Sequence, residues 1–583
     1  MRLRRPRFTT PTALARLATA LFAGGVLAGV FLAIPPCPTL VVAASVEKAD
    51  LLKAIAADFD RGRSLAAPCG NVQILRKASG EAETALARGW NDAVDGPRPD
   101  VWSPAATTWL LLLERHRTVG SRPNILSASR PSIAQSPLVI AMPKPLADAM
   151  GAKEQIGWRE ILDLAQDPRG WARYGHPEWG AFRLGKTNPT VSTSGLHALL
   201  ATYYAAGGFG AIDDQRVRSI VRSVESSVVH YSDTVSTFLE NLIAADDRGE
   251  APTYVSAIAM EEKQVWDYNR GNPTFAATPT RVLPRVPLVP IYPREGTLVA
   301  DHPYVVLTES WVDDAKRHLA GEFLAYLQSD PVQRLFLDAA MRGYQGATGR
   351  EISAANGLDP NGGAVQIRLP DPQTLVRIQD SWGGLRKRAR LLVVLDTSAS
   401  MGERAALLAR PKLDLAKEAA AFALDELVAD DQVGLWSFSS ASAGSPPYRE
   451  VVPLAALGDQ KARLKQEISA LAPSGGGGKG LYVTIDAAAA AMKERIDRAR
   501  INAVIVLTDG RNDDPDHNDL NGLARRLLTQ PEDDRVRVFT VAYGTGADRA
   551  ALDAIARASR GGSYAAPDPA AMTKVLADVL SSF

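Results

Sequence analysis

Cysteine is almost absent from this chain: 583 residues contain two, Cys37 and Cys69. A cysteine-based zinc framework or a disulfide-dense scaffold is therefore excluded. Histidine is also sparse, with seven residues (His116, His176, His197, His230, His302, His318 and His517), none in His-x-x-x-His spacing. No Gly-x-Ser-x-Gly elbow occurs either, so the usual marks of a metallohydrolase or a serine hydrolase are missing and no catalysis is expected. There is no excess of one charge: 66 basic residues against 65 acidic ones leave +1, which gives no field to draw the chain to nucleic acid. With 46% hydrophobic and 22% charged residues, disorder and a polytopic membrane fold are excluded as well. The length demands several compact units.

The chain has one long apolar run. Arg2, Arg4, Arg5, Arg7 and Arg16 precede Leu17 to Ile34, which ends before Pro35 and Pro36. Eighteen uncharged residues suffice for one membrane-crossing helix, and the arginines would stay in the cytoplasm. Residues 1–35 are thus an export signal or, as the longer-than-usual apolar stretch favours, an uncleaved single-pass anchor that leaves the rest outside the cell membrane. Cys37 and Cys69 both fall just after it, and a Cys37–Cys69 disulfide suits that oxidising side; by loop entropy it would contribute ~2–4 kcal/mol.

Beyond the anchor a unit repeats. A β-branched run, Thr39 to Ala44, ends in Ser45 and leads into helical apolar spacing over 46–59; Val72 to Leu75 leads through Ser79 into 81–90; Asp100-Val-Trp leads through Ser103 into 105–116. Alternating strands and helices predict a parallel α/β sheet, with ligands at the carboxyl ends of its strands. Ser45, Ser79 and Ser103 fall at those ends, beside helix N-termini, where each is a ligand donor or a helix cap. Next come a proline-bounded strand, Ser136 to Pro143, and a hydroxyl-rich loop, 185–195, containing Ser192, Thr193 and Ser194 and opening a helix over 196–206.

In this order the Ala-Ala-Ser, Ala-Ser-Gly, Asp-Val-Trp-Ser, Ser-Pro-Leu-Val-Ile-Ala and Thr-x-Pro-x-x-Ser-x-Ser-Gly tags resemble bacterial extracellular solute-binding proteins over residues 36–345. The nearest likeness is to the two-lobed class that holds molybdate or phosphate. The resemblance implies two hinged α/β lobes and a ligand in the cleft, with Ser45, Ser79, Ser103, Ser136, Ser192, Thr193 and Ser194 carried over as candidate ligand-binding residues. The ligand is a small solute or oxyanion, with Lys186 the one nearby cation; Glu261 and Glu262 are pocket acids or a solvated helix start.

Residues 346–388 are rich in turn formers, which predicts a linker, and its basic end Arg386-Lys-Arg-Ala-Arg390 reads as a solvated run. The apolar run Leu391 to Leu395 then ends in Asp396-Thr-Ser-Ala-Ser-Met-Gly402, where Asp396, Ser398 and Ser400 place oxygens at alternate positions, the donor type that Mg²⁺ or another hard divalent cation requires. With strands at 433–438, 503–507 and 536–544 and helices between them, residues 389–583 resemble a von Willebrand factor A domain, a doubly wound Rossmann-like fold with a metal-ion-dependent adhesion site. That resemblance implies Asp396, Ser398, Ser400 and Asp509 as metal ligands and a protein partner completing the coordination. A threonine is also implied, but Lys479 stands in its place within Ser474-Gly-Gly-Gly-Gly-Lys-Gly. An ammonium cannot coordinate a cation, and at ~4 Å from a divalent ion it would cost about 8 kcal/mol at an effective dielectric of 20. Lys479 can take the metal's place between Asp396 and Asp509, with Ser474 and Thr484 as weak substitute hydroxyls. The loop is no phosphate cradle, because Pro473 and Gly480 occupy positions that need Gly and Ser or Thr.

The expected molecule is a membrane-anchored extracytoplasmic binder of a solute and a protein. The alternative is the substrate-binding component that delivers a solute to an ABC-type importer.

Overall fold

The computed structural model describes residues 37–64, 70–151, 156–276, 283–405, 410–440, 445–474, 479–566 and 572–583. The apolar run 17–34 and Cys69 lie outside the described residues, and with them the expected anchor and the Cys37–Cys69 pairing. Among the described residues no helix is long and apolar enough to cross a membrane.

In chain order the strands are β1 (Thr39–Ala44), β2 (Asn71–Arg76), β3 (Val101–Ser103), β4 (Ala134–Pro143), β5 (Leu184–Gly185), β6 (Ala257–Glu261), β7 (Leu288–Ile291), β8 (Val299–Ala300), β9 (Val305–Val306), β10 (Arg342–Gly343), β11 (Arg388–Asp396), β12 (Gln432–Phe438), β13 (Tyr448–Ala456), β14 (Arg500–Thr508), β15 (Arg537–Tyr543) and β16 (Ser563–Ala566). They form three sheets, ordered β2-β1-β3-β9, β10-β4-β6-β5 with β7 and β8 also on β4, and β13-β12-β11-β14-β15-β16.

The first sheet is the first lobe. Its inner strand β1 pairs in parallel with β2 and β3, and its residues Leu40 to Ala44 are buried because helices cover it. The second lobe departs from the expected parallel pattern: β4 runs antiparallel to β6, β7, β8 and β10, and only β5–β6 is parallel. The chain passes between the first two sheets through 126–134, back through 300–307 and once more before β10, and the first two passages touch antiparallel at Ser132 with Pro303 and at Leu126 with Leu307. Such crossings are a hinge.

The third sheet is the doubly wound one expected. β11 lies between β12 and β14, both parallel to it, so its apolar run is buried on both faces. Sequence periodicity missed β13, antiparallel to β12, and the last helix, Met572–Leu580.

Within the segment expected as a linker, the absence of regular structure is corrected. Pro372–Leu385 is a helix, capped by Asp371, that buries Leu375, Ile378, Trp382 and Leu385. Those positions recur at helical spacing, a signal masked by the turn formers before them. The basic run is not solvated either: Arg386 is buried and paired with Asp431, and the Lys387 ammonium donates to Val228 O at 2.9 Å. Burial, with Arg537 and Arg183 nearby, pushes Lys387 down to about 8.

The solute-binding lobes and the third sheet's module are packed together. Tyr231 N donates to Ser582 O at 3.2 Å and Asn188 Nδ2 to Ser581 O at 3.3 Å. Arg560 joins Glu250 at 2.6 Å and also pairs with Glu532, while Arg183 reaches Asp533 at 2.6 Å.

Candidate functional site

Two places collect polar groups at strand ends. The first is a cavity of about 30 Å³ between the lobes, lined by Ser45, Ser79, Ser192, Thr193 and Ser194 together with Glu47, Asp233 and Glu261. Helix starts bring these residues there: Val46–Ser64 and Ser79–Arg88 follow β1 and β2 in one lobe, and Thr193–Gly207 opens toward them from the other. The lobes touch where Gly80 N donates to Val191 O at 2.9 Å. A Cβ at Gly80 would overlap Thr190 O, so glycine is what permits this approach. The space between the lobes is narrow, with room for water-sized groups along its wall.

Two of the seven expected hydroxyls are not brought to the cavity. Ser103 is fully buried, with its Oγ unpartnered, because it lies within the sheet between β1 and β9. Ser136, near the start of β4, accepts from Lys263 N at 3.4 Å. Nor do the others act as simple caps: Ser79 Oγ accepts from Ala105 N at 3.1 Å, Trp109 Nε1 donates to Thr193 Oγ1 at 2.8 Å, and Ser45 donates to Glu47. Lys186, the expected cation, is buried and paired with Glu225, which also accepts from Tyr231 OH at 2.6 Å and Trp382 Nε1 at 3.1 Å. It is unavailable to a ligand.

Sequence reasoning missed the charged floor. Lys48 Nζ donates to Ser45 Oγ at 2.5 Å and Pro104 O at 3.0 Å and lies 3.2 Å from His302 Nδ1, so all three of its N–H groups have partners. Burial pushes it down to about 8 against the opposing charges of Glu47, Glu261 and Asp301. Burial and the Lys48 charge push His302 down to about 3, so it is neutral. Burial raises Glu261 to about 7 against Lys48 and Lys263. Glu261 is a cavity acid, as one expectation had it, whereas Glu262 bonds Arg342 at 2.7 Å away from the cavity; neither is solvated. No sequence spacing marks the cluster, since Lys48 and His302 are 254 residues apart.

The second place is the end of β11. Asp396 is fully buried; its Oδ1 accepts from Ser398 N at 2.8 Å and its Oδ2 from Thr508 Oγ1 at 2.7 Å. Ser400 Oγ donates to Asp509 Oδ1 at 2.7 Å and lies 3.2 Å from Ser398 Oγ. The four residues carried over as metal ligands therefore do converge. Lys479 lies among them, 3.2 Å from Asp396 Oδ2 and hydrogen-bonded to Asp509. Lys412 adds a second ammonium, 2.8 Å from Asp509 Oδ2. Burial would raise the Asp509 carboxyl, but hydrogen bonds from Lys412, Lys479 and Ser400 outweigh it and hold the group below its ordinary value. Ser474 and Thr484 do not substitute: their hydroxyls donate to Thr397 O and Gly480 O.

This donor set does not fit a divalent ion. Two ammoniums already neutralise the two carboxylates, and a +2 ion at ~4 Å from Lys479 would meet a repulsion of about 8 kcal/mol at an effective dielectric of 20. Thr508, next to Asp509, and Lys412 were not found from sequence; a hydroxyl one residue before the ligand was the available signal for the first, and Lys412 had none.

Residues 40–342 match the bacterial extracellular solute-binding protein family, and residues 391–578 match the von Willebrand factor type A domain. Uncharacterized proteins of Mycobacterium tuberculosis strains H37Rv and CDC 1551 are each 23% identical over 537 residues, 90% of this chain and 74% of theirs. Among solved structures, the periplasmic binding protein P5PA is 13% identical with TM-score 0.40, covering 60% of this chain and 100% of that one. A von Willebrand factor type A protein from Catenulispora acidiphila is 21% identical with TM-score 0.28, covering 34% of this chain and 42% of that one.

Proposed function

Because the chain belongs to the bacterial extracellular solute-binding protein family and carries a von Willebrand factor type A domain, we propose that it is an extracytoplasmic binding protein, tethered to the cell membrane by residues 17–34, that closes two lobes around a small solute and docks a protein partner through its second module. The observation that carries this reading is the convergence of Ser45 and Ser79 from one lobe with Ser192, Thr193 and Ser194 from the other on one cavity across a hinge. Lobe closure buries a ligand between rigid bodies, and the Gly80–Val191 contact is a closed-state latch.

At the second module the partner docks without a bridging metal. Lys479, between Asp396 and Asp509, and Lys412 beside Asp509 already supply two positive charges against two carboxylates, so the site's centre is neutral. The packing of this module on the binding lobes supports a function in which the two act as one body.

Native mass spectrometry of the full chain, purified gently, tests the first half: a retained small solute is expected, and it should leave on partial unfolding. A chain that retains nothing, and whose melting temperature no solute raises, refutes solute capture. Crosslinking to an envelope extract tests the second half, with the same adduct expected with and without EDTA. An adduct abolished by EDTA refutes metal-free docking.

A further inference from the structure

The chemistry of the cavity wall goes further than the hydroxyls. Among the described residues, the cavity has three carboxyl side chains in its lining, Glu47, Asp233 and Glu261, and no lysine, arginine or histidine. Every cation close behind the wall is spent on the protein: Lys48 has three hydrogen-bond partners, Lys186 is paired with Glu225, and Lys263 is paired with Asp267. His302 is neutral.

One atom in this wall is left over. Glu261 is 3% exposed, yet its Oε2 has no hydrogen-bond donor, and His302 Nε2, 3.6 Å from it, is itself without a partner. A buried carboxyl oxygen without a donor is costly; burial makes Glu261 hold a proton in the empty cleft, and a positively charged donor that binds there displaces that proton and pairs with the carboxylate. An oxyanion there would instead put negative charge against three carboxyls with no free cation to compensate.

We infer that the cleft selects a solute bearing a positively charged nitrogen, with Glu261 and Glu47 as its counter-charges, and rejects oxyanions. This assignment rests on the solute-capture reading above. The start of the helix Thr193–Gly207 faces the same cavity, so its N–H groups and hydroxyls serve the solute's uncharged or anionic end. A bare metal ion is the poorer occupant. Glu47, Glu261 and His302 do offer atoms within 4.8 Å of one another, but the Lys48 ammonium lies 3.8 Å from Glu47 and 3.2 Å from His302 and would oppose the ion.

Thermal-shift and calorimetric titrations of the full chain and of Glu261→Gln decide it, with four sets of probes: amines (putrescine, choline), zwitterions (arginine, glycine betaine), oxyanions (sulfate, phosphate, molybdate) and the divalent ions Mg²⁺ and Zn²⁺. Saturable binding of an amine or zwitterion, weakened at least tenfold in Glu261→Gln, is expected. Glutamine is isosteric, and Glu261→Gln that retains the far-ultraviolet spectrum and melts cooperatively shows that the loss is local. Binding of an oxyanion or a divalent ion in the cleft, or amine binding that Glu261→Gln leaves unchanged, overturns the charge assignment alone. Silence across all four sets counts against solute capture itself, and the charge assignment falls with it.

Discussion

Replacing Lys479 by threonine removes an ammonium 3.2 Å from the buried Asp396 carboxylate and hydrogen-bonded to Asp509, and installs the hydroxyl that the rest of the loop geometry lacks. At an effective dielectric of 20 the Lys479–Asp396 attraction alone is about 5 kcal/mol before desolvation is counted. Breaking a buried pair typically costs about 3–5 kcal/mol net. Lys412 still neutralises Asp509, and Thr508 and Ser398 N still hold Asp396, which places the loss near about 3 kcal/mol. At about 2–4 °C per kcal/mol for a domain of this size, the variant should melt about 6–12 °C lower in EDTA. With Lys479 gone, Asp396, Ser398, Ser400, the new threonine and Asp509 form an oxygen site, and Mg²⁺ at 100 times its Kd should restore about 2.7 kcal/mol. Differential scanning fluorimetry with EDTA and with millimolar Mg²⁺ reads both changes. The wild-type melting temperature should be the same in the two buffers. A wild-type protein that Mg²⁺ stabilises, or a Lys479→Thr protein that Mg²⁺ leaves unmoved, would refute the reasoning.

Gly80→Ala should hold the lobes apart, since its Cβ meets the backbone of Thr190 and no side chain can yield; small-angle scattering should show a larger radius of gyration and titration at least a tenfold weaker solute affinity, with an unchanged closed profile counting against it. Glu225→Ala leaves Lys186 buried without its partner and strips Tyr231 and Trp382 of an acceptor, so denaturant unfolding should show a loss of about 3–5 kcal/mol; under about 1 kcal/mol would mean the junction is not held this way. The pH dependence has a definite sign. Glu261 is raised from its usual value near 4.5 to about 7, so the folded chain keeps a proton that the unfolded chain gives up. Its contribution to stability is fully present below pH ~4.5 and is lost as pH rises through about 7, on the order of 3 kcal/mol in all. Glu261→Gln should flatten that part of the stability profile, and an identical slope in both proteins would argue against a buried, proton-holding carboxyl.

Lysine fills the centre of both polar sites. Lys48 is enclosed by Ser45, Pro104 and His302 at the cleft floor, and Lys479 by Asp396 and Asp509 at the end of β11. In each a tethered ammonium holds oxygen atoms in place, and it brings no entropy of capture because it belongs to the fold. The cleft keeps Glu261 Oε2 unsatisfied, whereas the second site leaves both carboxylates paired. That difference supports the proposed reading of ligand capture at the first and a fixed docking surface at the second.

The sequence by itself determined what depends on neighbours along the chain. The apolar run Leu391 to Leu395 specified a doubly covered strand, alternate oxygens at Asp396, Ser398 and Ser400 specified their convergence, and apolar spacing at 3.6 residues per turn gave a helix over 46–59, which the structure extends to Ser64. Lys479 was legible as a departure because the glycines and Leu-Tyr around it fix its register. The tertiary structure decided everything that required distant segments to meet. Only packing shows that Ser103 is left out of the cavity while Ser45 lines it, that Glu47, Asp233 and Glu261 share a wall, and that Arg386 and Arg390 of the basic run are buried. A local pattern fixes an element and its buried face, but which charges end up together depends on how whole sheets and helices dock, and no spacing between Lys48 and His302 encodes that.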